Sequence, residues 1–249
     1  MGVVNVTPDS FVGDVRTPTV QGAVERSLRL VAEGATILDI GGESTRPGST
    51  SISLDEELAR VMPVLHALMP QLPDGVRVSI DTMKEDVARS AVAEGVHIIN
   101  DMSSSLGHVA GELRCGYVAA HMLETPATMQ QAPTYDDVVI EILTEVTATA
   151  KLAREAGAPQ VWIDPGIGFG KTIEHNLSLL ANVDRFVATG FPVLVGVSRK
   201  GFIGRLHTAS DTGDRLEASV ALAVWSGALG VDVVRVHDVL ATTQALIAL

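Results

Sequence analysis

The chain is poor in cysteine, aromatic residues and positive charge, and it has no long hydrophobic run. A lone cysteine, Cys115, excludes an internal disulfide and suits a reducing cytoplasm. Only 4% of the 249 residues are aromatic, so aliphatic side chains and alanine must fill the core. Lys and Arg number 18 against 30 Asp and Glu, a net charge of −12 that argues against a general nucleic-acid surface. An anionic ligand would need a local basic pocket that opposes this overall field. No apolar stretch reaches the roughly 18 residues of a membrane span. The first residues lack the basic start of a signal peptide, and Asn5, Pro8 and Asp9 interrupt them.

What is present is apolar and regularly spaced. Hydrophobic residues make up 46% of the chain and its mean hydropathy is +0.28, ample for a large core. Eight short apolar runs end in a polar or charged residue: Val3-Val4-Asn5, Ile37-Leu38-Asp39, Val78 to Asp81, Ile98 to Asp101, Val118 to His121, Val161 to Asp164, Val193 to Ser198, and Val233 to His237. Buried parallel strands read as near-continuous apolar runs, and an α/β barrel carries its chemistry where such strands end. Helical periodicity fills the gaps near 18–33, 54–69, 84–94, 136–157, 173–189, 214–229 and 238–249, with only a weak signal near 105–115. Gly34, Gly95, Gly157 and Gly230 sit where helices would stop, and Asp214 with Glu217 resembles a capping pair. Eight strands alternating with helices predict one domain, 1–249, folded as a single (β/α)8 TIM barrel with its active site at the C-terminal ends of the strands.

The loops after these runs carry the chemistry. Asp39 to Gly48 places an acid at a strand end, then two glycines, then Thr45 and Arg46, whose guanidinium matches a phosphate at two points. A plain loop with a surface arginine is the alternative. Val195 to Gly204 follows the seventh run, where barrels often bind phosphate, and offers Ser198, Arg199 and Lys200. Arg235 and His237 lie two apart on one strand face, although a neutral structural histidine at the rim is an equal reading for His237. Asp81, Asn100 and Asp164 end three strands and together suit a flat heterocycle presenting N–H donors. For each alone, helix capping is the competing reading. The seven histidines show no metal-ligand spacing, so a protein-caged zinc is not expected. Asn5 and a diphosphate could share a magnesium ion, which takes few protein ligands.

Together these segments resemble bacterial dihydropteroate synthase. The likeness rests on Met1 to Phe11, Asp39 to Gly48, Ser79 to Thr82, Asn100-Asp101, His121-Met122 with Thr128 to Gln130, Asp164 to Lys171, Gly196 to Gly204 and Arg235 to Asp238, in family order along nearly the whole chain. The resemblance implies a cytoplasmic, homodimeric, sulfonamide-targeted transferase of folate biosynthesis. It would join 6-hydroxymethyl-7,8-dihydropterin diphosphate to 4-aminobenzoate with Mg2+ as cofactor, and would take no nucleic-acid or membrane partner. By that likeness Asp81, Asn100, Asp164 and Lys200 would hold the pterin. Asn5, Thr45, Arg46, Arg235 and His237 would hold the diphosphate, with Asn5 on the metal. Phe11, Pro47, Phe169, Ser198 and Lys200 would border the aminobenzoate pocket, and Asp39 would support the phosphate side or the pterin. Lys200, Arg235, His237 and Asp81 would be the catalytic set.

Two departures stand out. After Phe11 the family continues Ser-Asp-Gly-Gly, whereas this chain reads Val12-Gly13-Asp14-Val15, so Asp9 or Asp14 would carry the acidic role of that closing loop. The chain also starts directly at its first strand, without the short leader common in the family. A folate-dependent methyltransferase on a similar barrel, or a non-catalytic pterin-binding homologue, are the alternatives. The first would have little use for Thr45-Arg46 and Arg199-Lys200. Alanine at Lys200 or Arg235 is expected to lower turnover strongly and leave the fold intact, because both lie on the rim.

Overall fold

A computed structural model of the chain describes residues 1–7, 19–206 and 215–249. Its strands are β1 (Gly2–Asn5), β2 (Ile37–Gly41), β3 (Arg77–Asp81), β4 (Ile98–Asp101), β5 (Gly116–Ala120), β6 (Val161–Asp164), β7 (Leu194–Val195) and β8 (Val233–Val234). The helices between and after them are α1 (Val20–Ala32), α2 (Leu54–Leu68), α3 (Glu85–Ala93), α4 (Gly107–Leu113), α5 (Val138–Glu155), α6 (Ile173–Ala181), α7 (Val183–Val187), α8 (Gly201–Leu206), α9 (Leu216–Ala228) and α10 (Val239–Ile247). Strands β1 to β6 pair in parallel in chain order, and β7 pairs in parallel with β8. Two seams close the ring. The bridge Ile163–Val193 carries Ile163 N donating to Pro192 O at 2.9 Å, and the bridge Gly2–Val236 carries Val3 N donating to Val236 O at 3.0 Å. The expected (β/α)8 barrel is what forms.

The barrel is built in layers that follow the two-residue period of a strand. Ile37, Ile98, Val118, Trp162 and Leu194 form one apolar cluster, with Met1 and Val233 packed against it. This plug fills one end. Two residues further along the same strand faces come Asp39, Asn100, Ala120, Asp164, Gly196 and Arg235, so the interior turns polar toward the C-terminal end. The opposite strand faces, with Leu38, Ile40, Val78, Ile80 and Ile163, bury against the helices in the larger core. Helix starts follow ordinary capping: Thr19 accepts from Gly22 N, Asp137 from Val139 N and Ile140 N, and Thr172 with His175 forms a reciprocal pair. Gly34, Gly95, Gly157 and Gly230 each end a helical stretch with φ between 92° and 111°.

Three details differ from the sequence reading. Strands β7 and β8 are only two residues long, because side chains take over rungs at both ends: Asp232 accepts from Val193 N at 2.8 Å, and Ser198 Oγ accepts from His237 N at 3.1 Å. The helix expected over 173–189 breaks at Asn182, whose Nδ2 donates to Ser178 O at 2.8 Å in competition with the backbone. Helix α8 begins inside the stretch read as a phosphate loop and runs two residues past it. Of the capping pair, Asp214 lies outside the described residues; Arg215 precedes α9 without a side-chain cap.

Candidate active site

At the polar end, one cavity of about 720 Å³ opens, within the range of small-molecule sites. Its floor is a buried ion network. Arg235 donates from Nε to Asp39 Oδ2 at 2.5 Å and from a terminal nitrogen to Asp81 Oδ2 at 2.6 Å, and Asn100 Nδ2 donates to Asp39 Oδ2 at 3.1 Å. Burial alone would lower the arginine's pKa, but the two carboxylates raise it above the ordinary value. The second carboxylate oxygens Asp39 Oδ1 and Asp81 Oδ1, the carboxamide oxygen of Asn100 and Ser79 Oγ are buried and make no hydrogen bond among the described residues. Buried acceptors without donors are rare and costly, and they mark a place where donors arrive with a ligand. Burial pushes the Asp81 carboxyl up to about 7 against the pull of Arg235, and it raises that of Asp164 too. Asp164 Oδ1 accepts from Gly166 N at 2.7 Å.

At Asp81 and Asn100 the neighbouring residues make the turn contacts, whereas Asp164 itself accepts from Gly166 N. Thr82 accepts from Lys84 N at 3.1 Å, and Asp101 accepts from Ser103 N and Leu106 N at 2.8 and 2.7 Å. These residues hold the turns, so Asp81 and Asn100 remain available to the cavity.

The lining as a whole is cationic. Arg46, Lys171, Arg199, Lys200, Arg205, Arg215 and Arg235 line the cavity against two carboxylates, Glu43 and Asp81. This is the local basic pocket that a chain of net charge −12 needs for an anion. Lys200 Nζ stands 3.8 Å over the Phe169 ring, and burial lowers its pKa to about 7 despite Asp164 nearby. Arg46 is exposed and makes no ion pair among the described residues. His237 is held near neutrality by burial and by Arg235, its pKa lowered to about 3. Ser198 Oγ lies 3.1 Å from His237 Nδ1 and accepts from His237 N, which leaves its hydroxyl proton for Nδ1 and Nε2–H for a ligand. Arg199 sits at φ 57° with its guanidinium paired to Asp238, so of the two adjacent cations Lys200 alone turns inward to the ring of Phe169.

The chain matches a family model described as "Pterin binding enzyme" over residues 1–237. It is 40% identical over 252 residues to dihydropteroate synthase of Escherichia coli K12, covering 99% of this chain and 88% of that one. The Xanthomonas albilineans dihydropteroate synthase solved with 4-aminobenzoic acid superposes with a TM-score of 0.90 at 43% identity, over 99% and 90% of the two chains. The same enzyme solved with 7,8-dihydropteroate gives 0.86 at 39% identity, over 99% and 90%. The chain belongs to the pterin-binding enzyme family, among the dihydropteroate synthases.

In this pterin-binding enzyme the residues singled out from sequence converge. Asn5, Thr45, Arg46, Pro47, Asp81, Phe169, Ser198, Lys200, Arg235 and His237 line one cavity. Asn100 joins it through Asp39, and Asp164, buried at the end of β6, acts on Lys200 by its charge. Phe11, Asp9 and the segment Val12 to Val15 lie outside the described residues. Sequence reasoning missed several members. Lys84 bridges Glu43 of the cavity wall to the fully buried Glu57 of α2, and Arg60 donates to Gly42 O at 2.8 Å, pinning the loop that carries Thr45 and Arg46. Glu57 and Lys84 look like ordinary helix-start charges in the sequence, so no local signal singles them out. Gly166 is a different case: at φ 65°, a Cβ there would lie 1.8 Å from His121 O, so only glycine permits this turn.

Proposed function

We infer that the chain condenses 6-hydroxymethyl-7,8-dihydropterin diphosphate with 4-aminobenzoate, releasing diphosphate and forming 7,8-dihydropteroate. The layering of the cavity carries the reading: partnerless acceptors lie beneath a cationic rim. Relatives solved with 4-aminobenzoic acid and with 7,8-dihydropteroate support it. Asp81, Asn100 and Asp164 accept the pterin's N–H donors, and Lys200 donates to the ring's acceptors. Asn5, Thr45, Arg46, Arg235 and His237 receive the diphosphate. Phe11, Pro47, Phe169, Ser198 and Lys200 border the aminobenzoate. We take residues 1–249 as one domain.

The reaction breaks the bond from the pterin's methylene carbon to diphosphate oxygen, and the electron pair leaves with diphosphate. Arg46, Arg235 and the His237 N–H stabilise the charge that develops there. The amine lone pair then forms the C–N bond, and the nitrogen loses one proton. Aryl amines are weak nucleophiles, so alignment of the amine with the methylene matters more than a strong base. Cys115 takes no part: it is buried, and burial raises its thiol pKa to about 11.

Magnesium fits this donor set. The Asn5 carboxamide faces the cavity with no hydrogen bond among the described residues, and its oxygen is the hard donor that magnesium takes. Among the described residues no group of three or more His, Cys, Asp or Glu could hold a metal. When bound, the ion supplies further neutralisation of the leaving diphosphate.

A coupled assay of dihydropteroate formation, with and without magnesium, tests the reading. Magnesium-dependent product supports it, and no product from folded protein contradicts it. Asp164→Asn should raise the Kd of the pterin diphosphate roughly 10- to 100-fold. The amide oxygen would keep the Gly166 bond and turn an N–H toward the pterin donors. Unchanged affinity by titration would contradict the placement.

No helix among the described residues is long and apolar enough to cross a membrane. The cytoplasmic location rests on the single buried thiol. Homodimerisation is supported by exposed apolar residues on α9 and α10, with Trp225 and Leu240 half-exposed. Leu240→Glu should convert a dimer to monomer by light scattering; a wild-type protein that is already monomeric would refute the assignment.

A further inference from the structure

The loop from Asp164 to Thr172 carries Phe169 into the cavity, and side chains from other segments hold its backbone. Gly168 N donates to Asn176 Oδ1 at 2.6 Å, Gln130 Nε2 donates to Gly168 O at 2.9 Å, and Tyr135 OH donates to Gly170 O at 2.9 Å. Lys171 stands at the centre of this array, only 1% exposed. Its ammonium donates to Phe169 O at 2.9 Å, to His121 Nδ1 at 2.9 Å and to His121 O at 3.4 Å. An ammonium has three N–H donors, and here each has an acceptor. Lys171 therefore lines the cavity with no donor left for a ligand.

Sequestering this charge is costly, since burial lowers its pKa to about 7. A well-packed apolar side chain often serves folding as well as a buried charge does. What the ammonium holds gives it a purpose. It ties the carbonyl of Phe169 to the residue at the end of β5, and the ring of Phe169 lies against Lys200 Nζ.

We propose that Lys171 is a positioning residue that fixes the Phe169 ring as the wall of the amine-acceptor subsite, without touching either substrate. This rests on the synthase reading and assigns a residue to its specificity for the amine. The pterin floor stands on the strand ends at Asp81, Asn100 and Asp164 rather than on the tethered carbonyl. Loosening the tether thus moves the Phe169 ring while the pterin acceptors keep their places at the strand ends.

Steady-state kinetics and pterin diphosphate titration on Lys171→Met, Phe169→Ala and the double variant test this. Lys171→Met should raise the KM for 4-aminobenzoate roughly tenfold and leave the Kd of the pterin diphosphate within about twofold. The double variant should match Phe169→Ala within about twofold, because residues acting through one another are not additive. An unchanged aminobenzoate KM, a parallel loss of pterin affinity, or additive effects would each overturn the proposal. Should Lys171→Met fail to fold, Gln130→Ala and Tyr135→Phe cut neighbouring tethers and carry the same test. They should raise the aminobenzoate KM with pterin affinity unchanged, and no such change would overturn it. A wild-type protein that forms no dihydropteroate defeats the synthase reading and this role together; an active wild type with an indifferent Lys171→Met defeats the role alone.

Discussion

Arg235→Ala is expected to lower kcat/KM for the pterin diphosphate by about a thousandfold, the upper end for losing one charge-stabilising donor. It should also weaken the fold, which the sequence reading did not anticipate. There both rim cations were expected to be dispensable for stability. The guanidinium is instead the shared partner of Asp39, which is fully buried, and Asp81, which is nearly so. Removing one member of a buried ion network leaves the others uncompensated, at about 3–5 kcal/mol. For a chain of this size that lowers Tm by roughly 10 °C. Differential scanning calorimetry beside the kinetic assay checks both parts. A variant with unchanged Tm would show that the two carboxylates do not depend on Arg235.

Lys200→Met is expected to lose turnover by about a hundredfold while Tm holds or rises. Among the described residues the ammonium has no carboxylate in hydrogen-bond range, and burial holds its pKa near 7, below the ordinary lysine value of 10.5. A lysine whose folded pKa is depressed penalises folding wherever the unfolded chain holds that proton. That penalty is full below about pH 7 and fades toward pH 10.5. The Tm advantage of Lys200→Met over wild type should accordingly be largest near pH 6.5 and vanish near pH 10. A variant that is less stable at pH 6.5 would mean that Lys200 holds the fold together. The two neighbouring cations thus differ in kind: Arg235 serves folding and chemistry, whereas Lys200 serves chemistry at some expense to folding.

The fold was legible because its signal is local. Each apolar run is one strand, each gap is filled by helix, and alternation on a strand puts Asp39 above Ile37 and Arg235 above Val233. The polar ends of the runs therefore announced a ring. What the ring does internally was not legible. Arg235 reaches Asp39 across 196 positions and Asp81 across 154, and no periodicity encodes which acid an arginine selects. Asp39 could be placed only near the phosphate or the pterin; the structure makes it the hinge between Arg235 and Asn100. From the residues alone Arg199 and Lys200 are a pair of cations, and the resemblance singles out Lys200; the structure separates them by the left-handed backbone at Arg199 and its pairing with Asp238. Lys171 and Glu57 were missed for a related reason. Both are charges that fold inward, against the ordinary preference of their residue types for solvent.

Calorimetric titration of the pterin diphosphate, beside the same pterin bearing only its hydroxymethyl group, probes both tiers of the cavity in a single experiment. Both ligands should bind, with the diphosphate tighter by at least about tenfold when magnesium is present and with the added affinity abolished in Arg235→Ala. Equal affinities for the two ligands, with or without the metal, would contradict a site in which acceptors hold the ring and cations draw off the leaving group.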